Sequence, residues 1–259
     1  EPTAGGDRIV TRTNATGHYE LEVPRNRTYT LTYVRGSLSR IDRVGSARPL
    51  VYPLQNVTVR EANLRLDTDI PAGRLLRLSV SDERGIPVPN ASVTLTAMRQ
   101  NASFSLDGTP DADGWVRANA SADGIRLAGP VRITVTPPAD RAYPDTTVTR
   151  NITLESNATP RVERIVLPTR PPNATVMPNR EAMLAGTPVR LDARESDVPA
   201  GAAEYRWDFT GNGTIDRVTS DPEVRYTPPV GTHHPRVVVV DRAGKRATAS
   251  TRIRVVSPE

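Results

Sequence analysis

Short stretches in which apolar and polar residues alternate recur along the whole chain. Examples are Tyr29-Thr30-Leu31-Thr32-Tyr33-Val34 and Arg132-Ile133-Thr134-Val135-Thr136. A period of two is typical of β-strands that bury one face, whereas amphipathic helices repeat every 3.6 residues. No long stretch has the helical period, so the pattern predicts an all-β protein.

Length and composition extend this prediction to several small modules. The chain has 259 residues, with 24 Pro and 17 Gly but only 2 Phe and 2 Trp, which favours many turns and thin aliphatic cores. Immunoglobulin-like β-sandwiches need roughly 100 residues each. Two proline-rich joints, 70–73 and 167–172, are short and stiff. We therefore predict three tandem immunoglobulin-like β-sandwich domains in an extended rod, covering 1–72, 73–169 and 170–259.

Three composition features restrict the class of protein. No run of about 18 apolar residues occurs, so we expect no membrane span in this chain. It contains no cysteine, which excludes disulfides, thiol catalysis and cysteine-based zinc sites. Because it opens at Glu1-Pro2 without a leader-like stretch, we expect a mature form or a piece of a longer protein.

The net charge of +5 is carried by arginine, since Lys245 is the only lysine. Clustered arginines would indicate nucleic-acid binding. Here they are spread along the chain and interleaved with acidic residues, as on the solvent faces of strands. We therefore predict no nucleic-acid partner.

Asparagine carries the most specific signal. Ten of the twelve asparagines begin an Asn-x-Ser/Thr sequon, the acceptor signature for N-glycosylation, although 43 serines and threonines in 259 residues predict only about two by chance. The sequon asparagines are Asn14, Asn26, Asn56, Asn90, Asn101, Asn119, Asn151, Asn157, Asn173 and Asn212. Asn157 is the weakest acceptor, because Pro160 follows its threonine.

The local pattern agrees with modification. In 56–59 and 151–154 the strand period puts Asn and Thr on one face and aliphatic residues on the other. The acceptor would then face solvent while its neighbours enter the core. Glycans on these sites imply export and an extracellular, cell-surface location. Unmodified, Thr- and Asn-rich strands and turns are the alternative.

The segment 73–169 carries a family resemblance. Its residues 80–95 follow the pattern V-x-D-x-x-G-x-P-V-x-x-A-x-V-x-L, and an Asp113-Gly114-Trp115 turn comes later. This resembles the carboxypeptidase regulatory-like domain, a transthyretin-like β-sandwich of seven strands that is common in surface proteins. The match is good over the first 45 residues and looser afterwards.

The segment 1–70 looks like the second half of the same module. Thr13–Leu21 resembles Thr109–Trp115, but nothing before residue 8 could supply the first hairpin. A sandwich without two strands has an open edge. Three explanations stay open: the chain is a piece of a longer one, the module is a shorter variant, or a neighbouring subunit donates the missing strands.

The last segment contains a second set of residues with a family resemblance, at 187–193, 205–209, 231–232, 237–244 and 253–256. Together they resemble a PKD domain. The resemblance implies an immunoglobulin-like sandwich with a core tryptophan, which would be Trp207 here. The usual Gly-Asp-Gly after Trp-Asp-Phe is replaced by Thr210–Thr214.

Two loops have oxygen-bearing side chains in a spacing that suggests calcium. Asp208, Thr210, Asn212 and Asp216 occupy positions 1, 3, 5 and 9 of a loop with glycine at position 6. The terminal glutamate is missing, and a Gly-rich hairpin turn explains the same residues. The loop 107–114 is similar. We expect no cofactor besides N-linked glycans, with calcium at 208–216 as the alternative.

Candidates for catalysis or sugar binding are few. His233 and His234 are adjacent and would point to opposite faces of a strand, His18 lies in another module, and no Gly-x-Ser-x-Gly elbow occurs. We predict no enzyme. The aromatic residues Tyr19, Trp115, Tyr205 and Trp207 could stack on carbohydrate, but each lies in an alternating stretch and is expected to be buried or half-buried in the core. Tyr52, Tyr143 and Tyr226 are expected to be partly exposed.

Together these features predict a non-enzymatic structural glycoprotein of a cell-surface layer, sheath, stalk or extracellular filament. Dense sequons, absent cysteine and the two resemblances point to an archaeal surface protein. Its partners would be copies of itself, by strand complementation at the open edge of the first module, or other cell-surface proteins. The alternative is an adhesin or a carbohydrate-binding accessory region of a secreted hydrolase.

Overall fold

The computed structural model describes residues 9–35, 50–60, 63–99, 102–116 and 124–258. These residues contain strands, turns and extended segments but no helix, which confirms the predicted all-β class. No described helix could therefore cross a bilayer. The described residues form two compact units. The first runs up to Ser81 and includes Ile86–Pro138 and Asp145–Leu167, while the second includes Asp82–Gly85, Ala139–Pro144 and the residues from Pro168 onward.

The first ten strands of the chain, β1 to β10, belong to the first unit. The one exception is the last residue of β3, which belongs to the second unit. Their bounds are β1 Arg27–Arg35, β2 Leu50–Val59, β3 Arg74–Asp82, β4 Ser92–Arg99, β5 Ala102–Gly108, β6 Trp115–Val116, β7 Ile125–Leu127, β8 Gly129–Thr136, β9 Val148–Leu154 and β10 Arg161–Leu167.

The described residues of the first unit form two sheets. One has the order β1-β2-β7-β3-β10, with β6 also paired to β3, and the other has the order β5-β4-β8-β9. The predicted alternation is confirmed in β8, where Val131, Ile133 and Val135 are fully buried between exposed or half-buried neighbours. Burying one residue in two along each strand gives the unit an aliphatic core.

The segment before residue 70 contributes β1 and β2, which pair as an antiparallel hairpin with an irregularity between Leu31 and Thr32. β2 then pairs in parallel with β7, with Leu50 opposite Arg126 and Val51 opposite Leu127. The hairpin thereby joins the same sheet as β3, and β1 is the last strand of that sheet among the described residues. The division into modules at 72/73 and 169/170 stays a prediction.

Strands β11 to β20 belong to the second unit. Their bounds are β11 Met177–Pro178, β12 Ala182–Leu184, β13 Val189–Asp192, β14 Ala202–Asp208, β15 Arg217–Thr219, β16 Glu223–Tyr226, β17 Gly231–His233, β18 Arg236–Asp241, β19 Arg246–Ser250 and β20 Ile253–Val256.

Three small sheets form this unit, with orders β11-β13-β16, β12-β20-β17 and β15-β14-β18-β19. Trp207 of β14 is completely buried and packs with Leu191, Val237 and Val239 in the main core cluster. The sheet β12-β20-β17 adds a smaller cluster of four buried residues. The prediction that Trp207 is a core residue is confirmed.

Candidate functional sites

The sequon asparagines lie on the surface wherever the structure describes them. Of the eight described, seven are exposed and Asn56 is half-buried. Asn101 and Asn119 lie outside the described residues. An acceptor amide must be reachable by an enzyme, so this exposure supports the predicted sites, whose modification stays a prediction. The exposed seven are Asn14, Asn26, Asn90, Asn151, Asn157, Asn173 and Asn212.

Three of these asparagines hold the same local turn. The Oδ1 atom of Asn14 accepts hydrogen bonds from the amide and the hydroxyl of Thr16, at 3.0 and 2.7 Å. Asn157 and Asn212 accept the amide of the residue two positions later, at 2.8 and 2.7 Å. This Asx-turn holds the acceptor amide beside its own sequon threonine in an exposed loop.

Two further sequons lie on strands, as the alternation predicts. Asn151 is exposed in β9, and the next residue of the strand, Ile152, is buried. Asn56 lies in β2 opposite Thr30 of β1, whose hydroxyl donates to Asn56 Oδ1 at 2.8 Å. The cross-strand bond holds the Asn56 side chain beside Thr30 on the same face of the hairpin.

The Asp208 loop is built around one buried carboxylate. Asp208 accepts the backbone N–H groups of Gly211, Asn212 and Gly213 at 2.7 to 3.2 Å, and Arg236 approaches it at 3.3 Å. Burial raises the pKa of Asp208, but these N–H donors and the Arg236 charge outweigh it, so the net shift is downward.

The other residues of the proposed calcium loop have protein partners as well. Asp216 accepts the Phe209 amide at 2.6 Å, and the Thr210 hydroxyl donates to Asp208 at 3.3 Å. Since both Asp208 oxygens already face N–H donors, the loop has the bonding of a capped hairpin turn. The described residues contain no group of three acidic, histidine or cysteine side chains placed to hold a metal ion. Calcium binding here stays a prediction.

The acidic residues of the loop 107–114 separate into two places. Asp107 lies in β5 and accepts the Thr94 hydroxyl across the β4–β5 pair at 2.7 Å. Asp111 instead accepts the amides of Asp113 and Trp115, at 3.0 and 2.9 Å. This geometry is that of a turn leading into β6.

The histidines have separate surroundings. Nε2 of His233, in β17, lies 2.8 Å from the Pro229 carbonyl oxygen, whereas His234 is exposed just after that strand and His18 is exposed in the first unit. None of the three belongs to a group of acidic, histidine or cysteine side chains that could hold a metal ion among the described residues.

Of the four aromatic candidates for sugar stacking, two are inaccessible. Trp207 and Tyr205 are buried and lie ring to ring at 6.4 Å, as their strand positions predict. Trp115 and Tyr19 are half-buried. A sugar platform needs an open ring face, so only this second pair could offer part of one.

The prediction for the remaining tyrosines is partly wrong. Tyr52 and Tyr226 are half-buried as expected, but Tyr143 is buried at 9% exposure. Its hydroxyl lies 3.4 Å from a carboxylate oxygen of Asp82, which also pairs with Arg84 at 2.6 Å. Burial raises the pKa of Tyr143, and the negative charge of Asp82 adds to the shift.

A second polar network in the second unit involves Lys245, the only lysine of the chain. Lys245 Nζ lies 2.7 Å from Glu83 Oε2 and also donates to the Thr169 carbonyl. Glu83 accepts the amide and hydroxyl of Thr169 at 2.9 and 2.8 Å. Burial raises the pKa of Glu83, but the Lys245 and Thr169 donors lower it further than burial raises it. The sequence offered no signal for this network, because its members are far apart in the chain.

Asp192 and Arg194 form a surface pair that makes stability depend on pH. The Arg194 hydrogen bonds lower the pKa of Asp192 from 3.8 to about 2. Because the folded value lies below the unfolded one, the stabilisation is complete above about pH 4 and is lost as the pH falls towards 2. We predict that Asp192→Asn flattens the fall in unfolding free energy between pH 4 and pH 2.

The measurement is urea unfolding at several pH values, followed by Trp207 fluorescence in a Trp115→Phe background. Arg194→Gln is the matched control, since it removes the partner and leaves Asp192 in place. It should flatten the same pH window. An unchanged wild-type slope in both variants would contradict the assignment of this acid dependence to the pair.

Comparisons with known proteins add only general likeness. No protein-family model matches the chain, and no curated protein matches it. The two family resemblances therefore stay hypotheses.

Among solved structures, the chain is similar to several β-rich modules at low TM-score. A structure of promiscuous carbohydrate-binding modules of the β-sandwich superfamily is 27% identical over 34% of this chain and 35% of its own length, with a TM-score of 0.31. BcpA, the major pilin subunit of Bacillus cereus, is 11% identical over 71% of this chain and 69% of its own, with a TM-score of 0.32.

The fibronectin(III)-like modules of Clostridium thermocellum CbhA are 12% identical over 73% of this chain and 93% of their own, with a TM-score of 0.31. For the carbohydrate-binding structure described above, the chain spans only about a third of its length. At these TM-scores the likeness carries no inference about activity, ligands or partners.

Proposed function

We propose that this chain is an exported, N-glycosylated structural protein that builds a cell-surface layer, sheath, stalk or extracellular filament with copies of itself or with other cell-surface proteins. The observation that carries the proposal is the placement of the sequons. Ten occur in 259 residues, and seven of the eight described acceptors are exposed on all-β units. Such a density suits a surface that faces the outside of a cell and resists proteases.

Strand complementation is the finer part of this proposal. Among the described residues, the first segment ends its sheet in β1, which is nine residues long and pairs with β2. An edge of this length offers a row of backbone groups to a strand from another copy. Donation of a strand from a neighbouring copy to β1 would make the protein a filament subunit.

The carbohydrate-binding alternative has weaker support. Two of its four candidate stacking residues, Trp207 and Tyr205, are buried in the core. A hydrolase accessory region would need its binding residues at the surface. We therefore favour the structural role.

Electron microscopy of material gently extracted from the native source tests the structural role. We expect the protein in ordered assemblies, with copies in regular contact. Recovery of the protein only as free single copies that bind polysaccharide would overturn the proposal in favour of the accessory module. Binding to polysaccharide is measured by applying the extract to glycan arrays.

A further inference from the structure

The described sequons differ in how the fold holds them. Some lie in turns whose hydrogen bonds join neighbouring residues, and others lie inside strands that pair along their length. A sugar transferase must enclose its acceptor in a cleft, so that the asparagine amide reaches the sugar donor and the hydroxyl two residues later is bound. A sequon that is tied into a sheet must therefore be released from the sheet before the enzyme can act.

Asn14 lies in a turn. Its amide donates to the His18 carbonyl at 2.8 Å, and its Oδ1 atom accepts the amide and the hydroxyl of Thr16. All residues from 11 to 18 are exposed. Releasing this turn breaks bonds between residues 14 and 18 and takes none of these exposed side chains out of a core.

Asn212 lies in a turn of the second unit. Asn212, Gly213 and Thr214 are all exposed. The amides of Asn212 and Gly213 donate to Asp208, and the amide of Thr214 donates to Asn212 Oδ1. Because these bonds join residues close together in the chain, the loop can present its sequon while β14 and β15 stay paired. We call Asn14 and Asn212 the turn sites.

Asn151 lies at the centre of β9. It is opposite Arg132, in a ladder that pairs every residue of β9 with β8. Ile152, the middle residue of the sequon, is buried, and so is Leu154 just after it. To enclose Asn151 and Thr153, a transferase must draw Ile152 out of the core and separate β9 from β8.

The Asn56 sequon is held through both of its reactive side chains. Asn56 Oδ1 accepts the Thr30 hydroxyl at 2.8 Å, and the Thr58 hydroxyl lies 2.8 Å from that of Thr28. Both bonds cross from β2 to β1, whose register places these residues opposite each other. The acceptor side chain and the hydroxyl that a transferase binds are thus both engaged while the hairpin is intact. We call Asn56 and Asn151 the strand sites.

We propose that the strand sites receive their sugar before the first unit folds, whereas the turn sites can also be modified on the folded chain. This inference rests on the glycosylation in the proposed function. It adds an order of events, in which the transferase meets the chain unfolded, during export or directly after it. Folding then closes both strand sites to further modification.

The transfer is a substitution at the anomeric carbon of the sugar. The donor is a lipid-linked oligosaccharide, in which that carbon is bonded to a phosphate oxygen. The asparagine Nδ2 atom attacks the carbon and forms a carbon–nitrogen bond. The carbon–oxygen bond breaks, its electron pair leaves with the lipid phosphate, and a base of the transferase takes one proton from Nδ2. This step requires close contact between Nδ2 and the donor, which an intact ladder prevents.

The test uses the full chain, made without sugar in a host that lacks N-glycosylation. The folded chain is incubated with a single-subunit oligosaccharyltransferase that requires only Asn-x-Ser/Thr, together with its lipid-linked donor. Glycopeptide mass spectrometry measures the initial rate of modification at each site. A synthetic peptide of each sequon with its flanking residues gives the rate without tertiary structure, so each site is compared with itself.

The rate at each site, divided by the rate of its own peptide, gives the effect of the fold. We expect this ratio to be at least about ten times lower at the strand sites than at the turn sites, because the strand sites react only after local opening. Equal ratios at all four sites would overturn the inference.

Two variants change or preserve the folding of the first unit. Ile133→Asp places a carboxylate at a fully buried position of β8, which is expected to unfold the unit. Val162→Asp is the matched control, because it places the same group at a position of β10 that is 59% exposed. Circular dichroism shows which variant is folded.

The unfolded Ile133→Asp chain should be modified at the strand sites at least about ten times faster than wild type, with little change at the turn sites. Val162→Asp should behave as wild type at all four. Strand sites that react no faster in an unfolded Ile133→Asp chain would count decisively against the proposed order.

Protein from the native source separates this inference from the proposed function. Sugar at all four sites supports both. Bare asparagine at every sequon overturns the proposed function, whereas equal ratios in the transferase experiment overturn only the order of events. Sugar at the turn sites with bare strand sites would show that the native chain meets its transferase already folded, which also overturns the order of events and leaves the glycosylation standing.

Discussion

Replacing Trp207 with alanine is expected to lower the free energy of unfolding of the second unit by about 3 to 5 kcal/mol. Trp207 is fully buried, packs against Leu191 and Val237, and donates its indole N–H to the Thr219 hydroxyl at 2.9 Å. Truncation leaves a large cavity and removes that hydrogen bond. A small unit with few other large side chains has little capacity to refill the space.

Urea unfolding followed by circular dichroism, with deuterium exchange of the β14 and β18 amides, measures this loss. Val218→Ala on the neighbouring β15 is the control, because Val218 is 53% exposed and its truncation should cost less than about 0.5 kcal/mol. Equal effects of the two substitutions would show that Trp207 is not the centre of the core.

Gly114→Ala is expected to destabilise the first unit by at least about 3 kcal/mol. Gly114 has φ +80° in the turn before β6, and a Cβ atom there would lie 2.5 Å from the Val80 carbonyl oxygen. Val80 also donates its amide to the Gly114 carbonyl at 2.8 Å. The methyl group would therefore force β3 and the turn apart, in addition to the strain of a left-handed alanine.

Gly17→Ala separates these two costs. Gly17 lies in the same unit at φ +82°, but a Cβ atom there meets nothing within 4 Å. Its substitution should cost only the left-handed strain, about 1 kcal/mol. Urea unfolding and the exchange rate of the Val80 amide compare the two variants. A Gly114→Ala chain no less stable than Gly17→Ala would contradict the close approach of β3 to the turn.

The sequence predicts the strands well because burial of every second residue leaves a local pattern. The alternation at 132–136 corresponds to β8, and the segments 75–80 and 92–97 lie within β3 and β4. Trp207 is predicted as a core residue for the same reason, since its polar neighbours Arg206 and Asp208 flank it in an alternating stretch. Asp208 is nevertheless buried, because loop amides and Arg236 compensate its charge.

Pairings between distant strands are not encoded in such a pattern. The parallel contact of β2 with β7 joins residues about 75 positions apart, and hydrophobic period alone does not state which strand is the neighbour. The burial of Tyr143 is another feature that the local pattern does not predict. Its partners Asp82 and Arg84 come from a turn some 60 residues earlier, so its burial depends on tertiary structure.

The candidate sites also differ in whether a local sequence signal or the tertiary structure reveals them. The sequon is a three-residue signal and is read directly from the chain. Its exposure and its place in a strand or a turn require the structure, as for Asn151 in β9 and Asn212 in a loop. The spacing of oxygen-bearing residues at 208–216 suggests a cation. In the structure, backbone N–H groups donate hydrogen bonds to Asp208 instead. This turn geometry cannot be predicted from the spacing alone.

Glycopeptide mass spectrometry of the protein from its native source tests the central claim most directly. The account predicts sugar on the exposed acceptors, including Asn14, Asn151 and Asn212, and release of unmodified peptides only from a minority of copies. Bare asparagine at every sequon would contradict the account, because export to the cell surface would then have no basis.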